Sequence, residues 1–302
     1  MKKAIFPLIL LLSLVLFWSC EEAPQTDDSI TNADVSEEDL QEKSNESVEK
    51  VQDIFHSVPS PLDMASILKK AGATYDHKLL NPVKKVNEYS TSRQQALNLG
   101  VYGADLSYAS IFNQNQESIL YLSCTKKLAD KLGMSKAFND EVIERMEMNI
   151  DNRDSLLSII SDTYYNIDAY LKENNRDHIS AMVIAAGWVE GLYLGTQIAS
   201  NSKTPEPKLL QRIAEQKLSL ENLKELVTSY NKGGELDDIM SDLEQIEQAY
   251  GMVSIDKEKT TVDVDDEGVT TFGGKTDAVI SEKALIKLTA IVADIRKGYT
   301  EA

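Results

Sequence analysis

From about residue 46 to residue 250, apolar positions recur at the three- to four-residue spacing of amphipathic helices. Glycines at 72, 133 and 233–234 fall where such helices should end. Three sites combine an N-capping side chain with a proline, which suits a first helical turn, namely Ser60-Pro61, Asn81-Pro82 and Thr204-Pro205. The pattern predicts helices near 45–56, 61–71, 82–88, 91–112, 114–132, 135–149, 152–174, 177–201, 206–230, 235–250 and 279–298.

A different pattern occupies residues 253–274, where two short alternating runs flank a turn at 265–268. This pattern predicts a small β-hairpin near 258–273. The predicted fold class is therefore all-α, an irregular multi-helix bundle of about ten helices with this hairpin inserted.

The hairpin turn also resembles the start of a calcium loop, with acids at Asp263, Asp265 and Glu267 followed by Gly268. The twelfth position, which needs a bidentate glutamate, is Gly274. We therefore favour a plain acidic turn over a calcium site and predict no metal and no cofactor.

Two long segments are almost free of charge. Asp105 is the only carboxylate or base between Arg93 and Glu117, and Glu190 is the only one between His178 and Lys203. Surface helices carry a charged face, so these two segments are predicted to be central helices surrounded by others.

The two acids are the candidate functional residues, and a tyrosine on the same helix face follows each of them by three positions. One interpretation makes them buried hydrogen-bond anchors, satisfied by tyrosine hydroxyls or by the N-terminus of another helix. Another places them in a polar ligand pocket, and a third is catalysis by a carboxylate pair. The candidate pocket comprises Asn98, Tyr102, Asp105, Tyr108, Trp188, Glu190 and Tyr193. No catalytic residue is predicted, because no recognisable nucleophile, base or metal pattern accompanies the acids.

Small residues recur along both segments, at Gly100, Gly103, Ala104, Gly187, Gly191 and Gly195. A helical glycine costs up to about 1 kcal/mol relative to alanine, so close helix packing or a ligand should compensate. The glycine spacing would also suit a membrane helix at 179–200, although Glu190 near its centre argues against that interpretation.

The N-terminus carries a targeting pattern. Lys2 and Lys3 precede an apolar run at 4–17 that is too short to span a bilayer comfortably, and Cys20 follows. This arrangement resembles a bacterial lipoprotein signal, with Phe17 and Trp18 departing from the usual residues, and the resemblance implies lipidation of Cys20. The alternative is an uncleaved anchor with an incidental cysteine.

The predicted organisation is a signal peptide at 1–19, an acidic flexible tether at 20–45 and a single α-helical domain at 46–302. Residues 21–50 hold eleven acids against two lysines. Loss of 1–19 removes two lysines and no acid, which takes the formal charge from −18 to −20 and excludes nucleic acid as a partner. The predicted location is the cell envelope, as an outer-membrane lipoprotein that faces the periplasm or the cell surface.

The other cysteine, Cys124, lies in an apolar helical run and is predicted to be a buried packing residue. The three histidines show no pairing with it and no metal-ligand spacing.

The block Asn98–Tyr108, preceded by Pro59-Ser60-Pro61 and Tyr75, resembles a family of uncharacterised α-helical lipoproteins of Bacteroidota over roughly residues 58–200. The resemblance implies an envelope location and a helical fold, and it implies no activity or ligand. The leading functional hypothesis is a membrane-anchored, non-enzymatic binding or scaffold module whose partner is an envelope protein or a small molecule. The alternatives are a small-molecule carrier, with a pocket between the two nearly uncharged helices that bear Asp105 and Glu190, and a hydrolase that uses these carboxylates.

Overall fold

Nine α-helices make up most of the residues that the computed structural model describes, which are 58, 61–150, 152–257, 261–264, 270–273 and 276–301. The helices are α1 Pro61–Lys70, α2 Ser92–Ile111, α3 Asn115–Lys131, α4 Asp140–Met148, α5 Arg153–Glu173, α6 Asp177–Asn201, α7 Pro207–Tyr230, α8 Asp237–Tyr250 and α9 Glu282–Thr300. Two 3-10 helices, His77–Leu79 and Val83–Asn87, connect α1 to α2. The prediction of an all-α multi-helix bundle is confirmed, while the helix predicted near 45–56 lies outside the described residues.

Helix starts follow local capping chemistry, with two differences from the sequence pattern. Helix α2 begins with a capping box, in which the Thr91 side chain accepts from the Gln94 N–H and the Gln94 side chain accepts from the Thr91 N–H. The Asn81 side chain does not cap the element that follows, because its amide group donates to the hydroxyl of Tyr89 in the core. The element after Pro82 is a 3-10 helix. Helix α7 begins at Pro207, two residues after the proline that the pattern favoured.

The β-hairpin prediction is confirmed and the hairpin extends further than predicted. Strand β2, Thr261–Val264, pairs antiparallel with β3, Thr270–Gly273. A second antiparallel pair, β1 Ser254–Lys257 with β4 Thr276–Val279, continues the ribbon towards the helices. The acidic turn at 265–269 lies outside the described residues, and the described ranges contain no group of three or more His, Cys, Asp or Glu residues that could hold a metal ion.

The two nearly uncharged helices, α2 and α6, form the centre of the bundle. Every residue from Gln95 to Ile111 of α2 is buried, and α2 packs mainly on α6 and α3. Helix α6 also contacts α9, α7, α1 and α5. Among the described helices, α6 alone is long and apolar enough to cross a membrane, with a mean hydropathy of 1.3, yet 89% of its apolar stretch is buried inside the protein. Burial to this extent is typical of a helix in the core of a folded domain.

Close contact between α2 and α6 accounts for their glycines. A Cβ added at Gly100 would lie 2.2 Å from the carbonyl oxygen of Val183 and 2.9 Å from the nitrogen of Gly187. Backbone atoms cannot move aside as a flexible side chain can, so this crossing needs glycine. Packing therefore compensates for the glycine at position 100.

Cys124 lies in the hydrophobic core, as predicted. It is a free thiol with 2% of its surface exposed. Burial raises the pKa of the Cys124 thiol to about 12. The thiol therefore stays neutral and serves as a packing group.

Candidate functional site

Glu190 of α6 forms a buried ion pair with Arg296 of α9. Arg296 donates from Nε to Glu190 Oε2 at 2.8 Å and from Nη2 to Oε1 at 3.0 Å. Glu190 is fully buried and the Arg296 side chain is 13% exposed. This two-point geometry matches the planar guanidinium to the carboxylate and occupies both glutamate oxygens.

Arg296 is held on two further sides. Its guanidinium lies over the ring of Tyr193, 4.7 Å from the centroid, and Nη2 also donates to the carbonyl oxygen of Leu79 at 3.3 Å. Burial by itself lowers the pKa of Arg296, but Glu190 more than offsets that effect and the pKa is raised overall. The guanidinium is therefore a permanent charge fixed in place by its neighbours.

Asp105 of α2 lies beside this pair and is fully buried. Its Oδ2 accepts a hydrogen bond from the backbone N–H of Asn81 at 3.0 Å. Its Oδ1 accepts no hydrogen bond from any described residue. An ionised carboxylate left in this way would be costly, since buried anions need donors on both oxygens.

Protonation of Asp105 resolves that cost. Burial raises the pKa of Asp105 well above its usual range, and Glu190 raises it further through its charge and through a hydrogen bond to Asp105. Arg296 and the Asn81 N–H lower it only in part. We infer a neutral Asp105 beside the Glu190–Arg296 ion pair, so that the guanidinium of Arg296 faces a single negative charge.

Asn81 joins this charged group to the rest of the core. Its side-chain Nδ2 donates to Tyr89 Oη at 3.0 Å and to Asn98 Oδ1 at 3.2 Å. Asn98 in turn donates to the carbonyl oxygen of Tyr299 at 2.7 Å, near the end of α9. The network therefore ties α2, α6 and α9 to the segment between α1 and α2.

The other predicted pocket residues make separate contacts. Tyr102 donates to the carbonyl oxygen of Pro82 at 3.0 Å. Tyr108 donates to the carbonyl oxygen of Thr74 at 3.0 Å, and burial raises its pKa to about 12. Trp188 donates from Nε1 to Ser219 Oγ at 3.1 Å on α7.

The structure therefore brings Asp105, Glu190 and Tyr193 together around Arg296 and links Asn98 to them through Asn81, whereas Tyr102, Tyr108 and Trp188 bond elsewhere. Tyr108 and Tyr193 do not supply the hydrogen bonds of the acids, since a backbone N–H and a guanidinium do so. Cys20, the predicted lipidation site, lies outside the described residues.

Sequence reasoning did not identify Arg296 or Asn81. The available signal was indirect, because two acids buried in central helices require a buried cation. Arg296 follows Ile295 on the apolar face of α9, whose other buried members include Leu288, Val292 and Tyr299. A charged residue at such a position is a candidate partner, but its contact with a residue 106 positions earlier depends on how the helices pack.

No protein-family model, curated protein or solved structure matches this chain. The resemblance to the lipoproteins of Bacteroidota therefore stays a prediction, and the site is interpreted from its own geometry.

Proposed function

We propose that this chain is a lipid-anchored protein of the cell envelope with a non-enzymatic binding or scaffold role. The observation that carries the non-enzymatic part is the bond pattern of Glu190, whose two oxygens are both bonded to Arg296. The acids that the sequence pattern indicated as candidate functional residues are thus bonded to groups of the protein itself. In this proposal the buried network holds the bundle together and binding occurs at the surface.

The anchoring part of the proposal rests on the N-terminal pattern, with two lysines, a short apolar run and Cys20. Two or three acyl chains on one cysteine would give stable attachment, whereas a single chain gives reversible attachment. The acidic segment that follows would hold the helical domain away from the lipid surface.

Lipidation is tested by growing cells with an alkyne fatty acid and comparing the chain with its Cys20→Ala variant. The wild-type chain should carry the label and fractionate with outer membranes, and the variant should lose the label and leave the membrane. An unlabelled wild-type chain that fractionates like the variant would exclude the lipid anchor.

The interior carrier and hydrolase alternatives are tested by native mass spectrometry of the full chain released from detergent. A mass equal to the denatured mass, apart from lipid, supports a bundle that carries no interior ligand. An added mass that disappears in Glu190→Gln would support the carrier instead. Hydrolysis of envelope substrates that is lost in Asp105→Asn would support the hydrolase.

A further inference from the structure

A groove opens on the surface where the end of α1, the end of α6 and the start of α7 meet. We call it the corner groove. Its volume is about 350 Å³, which is within the range of small-molecule sites. Leu79, Ile198 and Leu209 supply apolar surface, and Leu79 and Leu209 are buried at 8% and 2% exposure.

The charged side chains of the corner groove are both acidic. Asp76 and Glu206 are the ionisable side chains among the described residues that line it. Neither has an ion-pair partner in the part of the chain that the structure describes. No lysine or arginine is among the described residues that line it, and Lys203 lines a neighbouring groove. The corner groove thus combines apolar walls with two acidic side chains, which complement a cation on an apolar stem.

Local structure holds the Asp76 carboxylate and places the stem of Glu206 beside Gly72. Asp76 Oδ1 accepts from the backbone N–H of Lys78 at 3.0 Å, and the Asp76 backbone N–H donates to the hydroxyl of Tyr108 at 3.2 Å. Gly72 adopts a positive φ of 87°, and a Cβ added there would lie 3.3 Å from Glu206 Cγ. The stem of Glu206 therefore passes close to Gly72, and a side chain at that position would displace it.

The ends of the helices add to the negative potential. Helix α6 ends at Asn201, which lines the corner groove, so the partial negative charge of its last carbonyls lies there. The N-terminus of α7 also reaches the groove, where Glu206 precedes the first helical residue and offsets its partial positive charge. The chain as a whole carries −18, which attracts cations at long range.

A second groove of about 390 Å³ shares Ser202 and Pro205 with the corner groove. Its surface includes Ile280 and Leu285 together with Ile286, which is 61% exposed. An apolar stem that extends from the corner groove would meet this surface next. Burial of such a stem contributes about 25 cal/mol for each Å² removed from water.

We propose that the corner groove binds organic cations that carry an ammonium or guanidinium group on an apolar stem, with Asp76 and Glu206 as the groups that hold the charge. This assignment rests on the proposed binding role and names its ligand class. A free amine and a lysine or arginine side chain of a partner protein share this chemistry.

The test uses the full chain in a non-ionic detergent and isothermal titration calorimetry. The probes are phenethylammonium, for a free amine, and Nα-acetyl-lysinamide, for a protein side chain. The matched neutral and anionic probes are 2-phenylethanol and 3-phenylpropionate. We expect at least one cationic probe to bind at least ten-fold more tightly than both matched probes, and its affinity to fall as salt is raised.

The variants are Glu206→Gln with Asp76→Asn, and Glu141→Gln as a control that removes an exposed charge on α4. Asparagine also caps helices well, so Asp76→Asn keeps the local structure. We expect the double variant to lose at least ten-fold in affinity for the cation and the control to change by less than two-fold.

The assignment is overturned if the folded chain binds neither cation, if cation and alcohol bind equally, or if the double variant binds as well as the wild type. Preference for Nα-acetyl-lysinamide would assign the ligand to a partner protein, and preference for phenethylammonium would assign it to free amines. Failure here leaves the Cys20 labelling result untouched, so the two proposals fail separately.

Discussion

Replacing Arg296 with methionine should be strongly destabilising, because it leaves the Glu190 carboxylate buried without its cation. Glu190 has no exposed surface and depends on Arg296 for hydrogen bonds at 2.8 and 3.0 Å. Removing one partner of a buried pair costs about 3–5 kcal/mol, whereas methionine retains most of the packing volume. For a chain of this size the loss corresponds to a fall in Tm of roughly 6–20 °C.

Urea unfolding of the full chain, followed by circular dichroism in non-ionic detergent, measures this loss. Lys297→Met is the matched control on the same helix, since Lys297 is 67% exposed and pairs with Glu301 at the surface. The control should change the free energy of unfolding by less than about 0.5 kcal/mol.

A further result identifies the unpaired charge as the cause. The double variant Glu190→Gln with Arg296→Met should be more stable than Arg296→Met alone. A cost below about 1 kcal/mol for Arg296→Met, or a double variant no more stable than that single variant, would refute the reasoning.

Three other substitutions, two of them with a matched control, test the core. Because the pKa of Asp105 is raised on folding, its contribution to stability is complete below the unfolded pKa of about 3.9 and is lost as pH rises through the folded pKa. Asp105→Asn should therefore gain stability relative to wild type as pH rises from about 4 towards the folded pKa of Asp105, by up to about 1.4 kcal/mol per pH unit in urea unfolding, and an unchanged difference would contradict a raised pKa. Gly100→Ala should destabilise by about 1–3 kcal/mol or more, whereas Gly298→Ala, with nothing within 4 Å of the added Cβ, should be neutral or stabilise by up to about 1 kcal/mol in thermal melts. Tyr108→Phe should cost about 1–3 kcal/mol and Tyr170→Phe less, since water can replace the exposed bond of Tyr170, and equal costs would argue against that distinction.

Local sequence signals determined most of the secondary structure. The helical apolar period and the capping residues placed α2 and α6 within a residue or two, because these signals act over a few neighbouring positions. The alternating residues at 260–272 likewise predicted the β2–β3 hairpin. The near-absence of charge along α2 and α6 predicted that they are central, since a helix without a charged face must be covered by others.

Tertiary structure alone decided which groups the buried acids meet. The sequence by itself determined that Asp105 and Glu190 lie on central helices, where a buried acid needs partners. Only the packing of α9 against α6 brings in Arg296, from 106 residues away, and only the turn before Pro82 presents the Asn81 N–H to Asp105. The physical reason is range, because helix periodicity and capping are local, whereas an ion pair depends on how distant helices pack against each other.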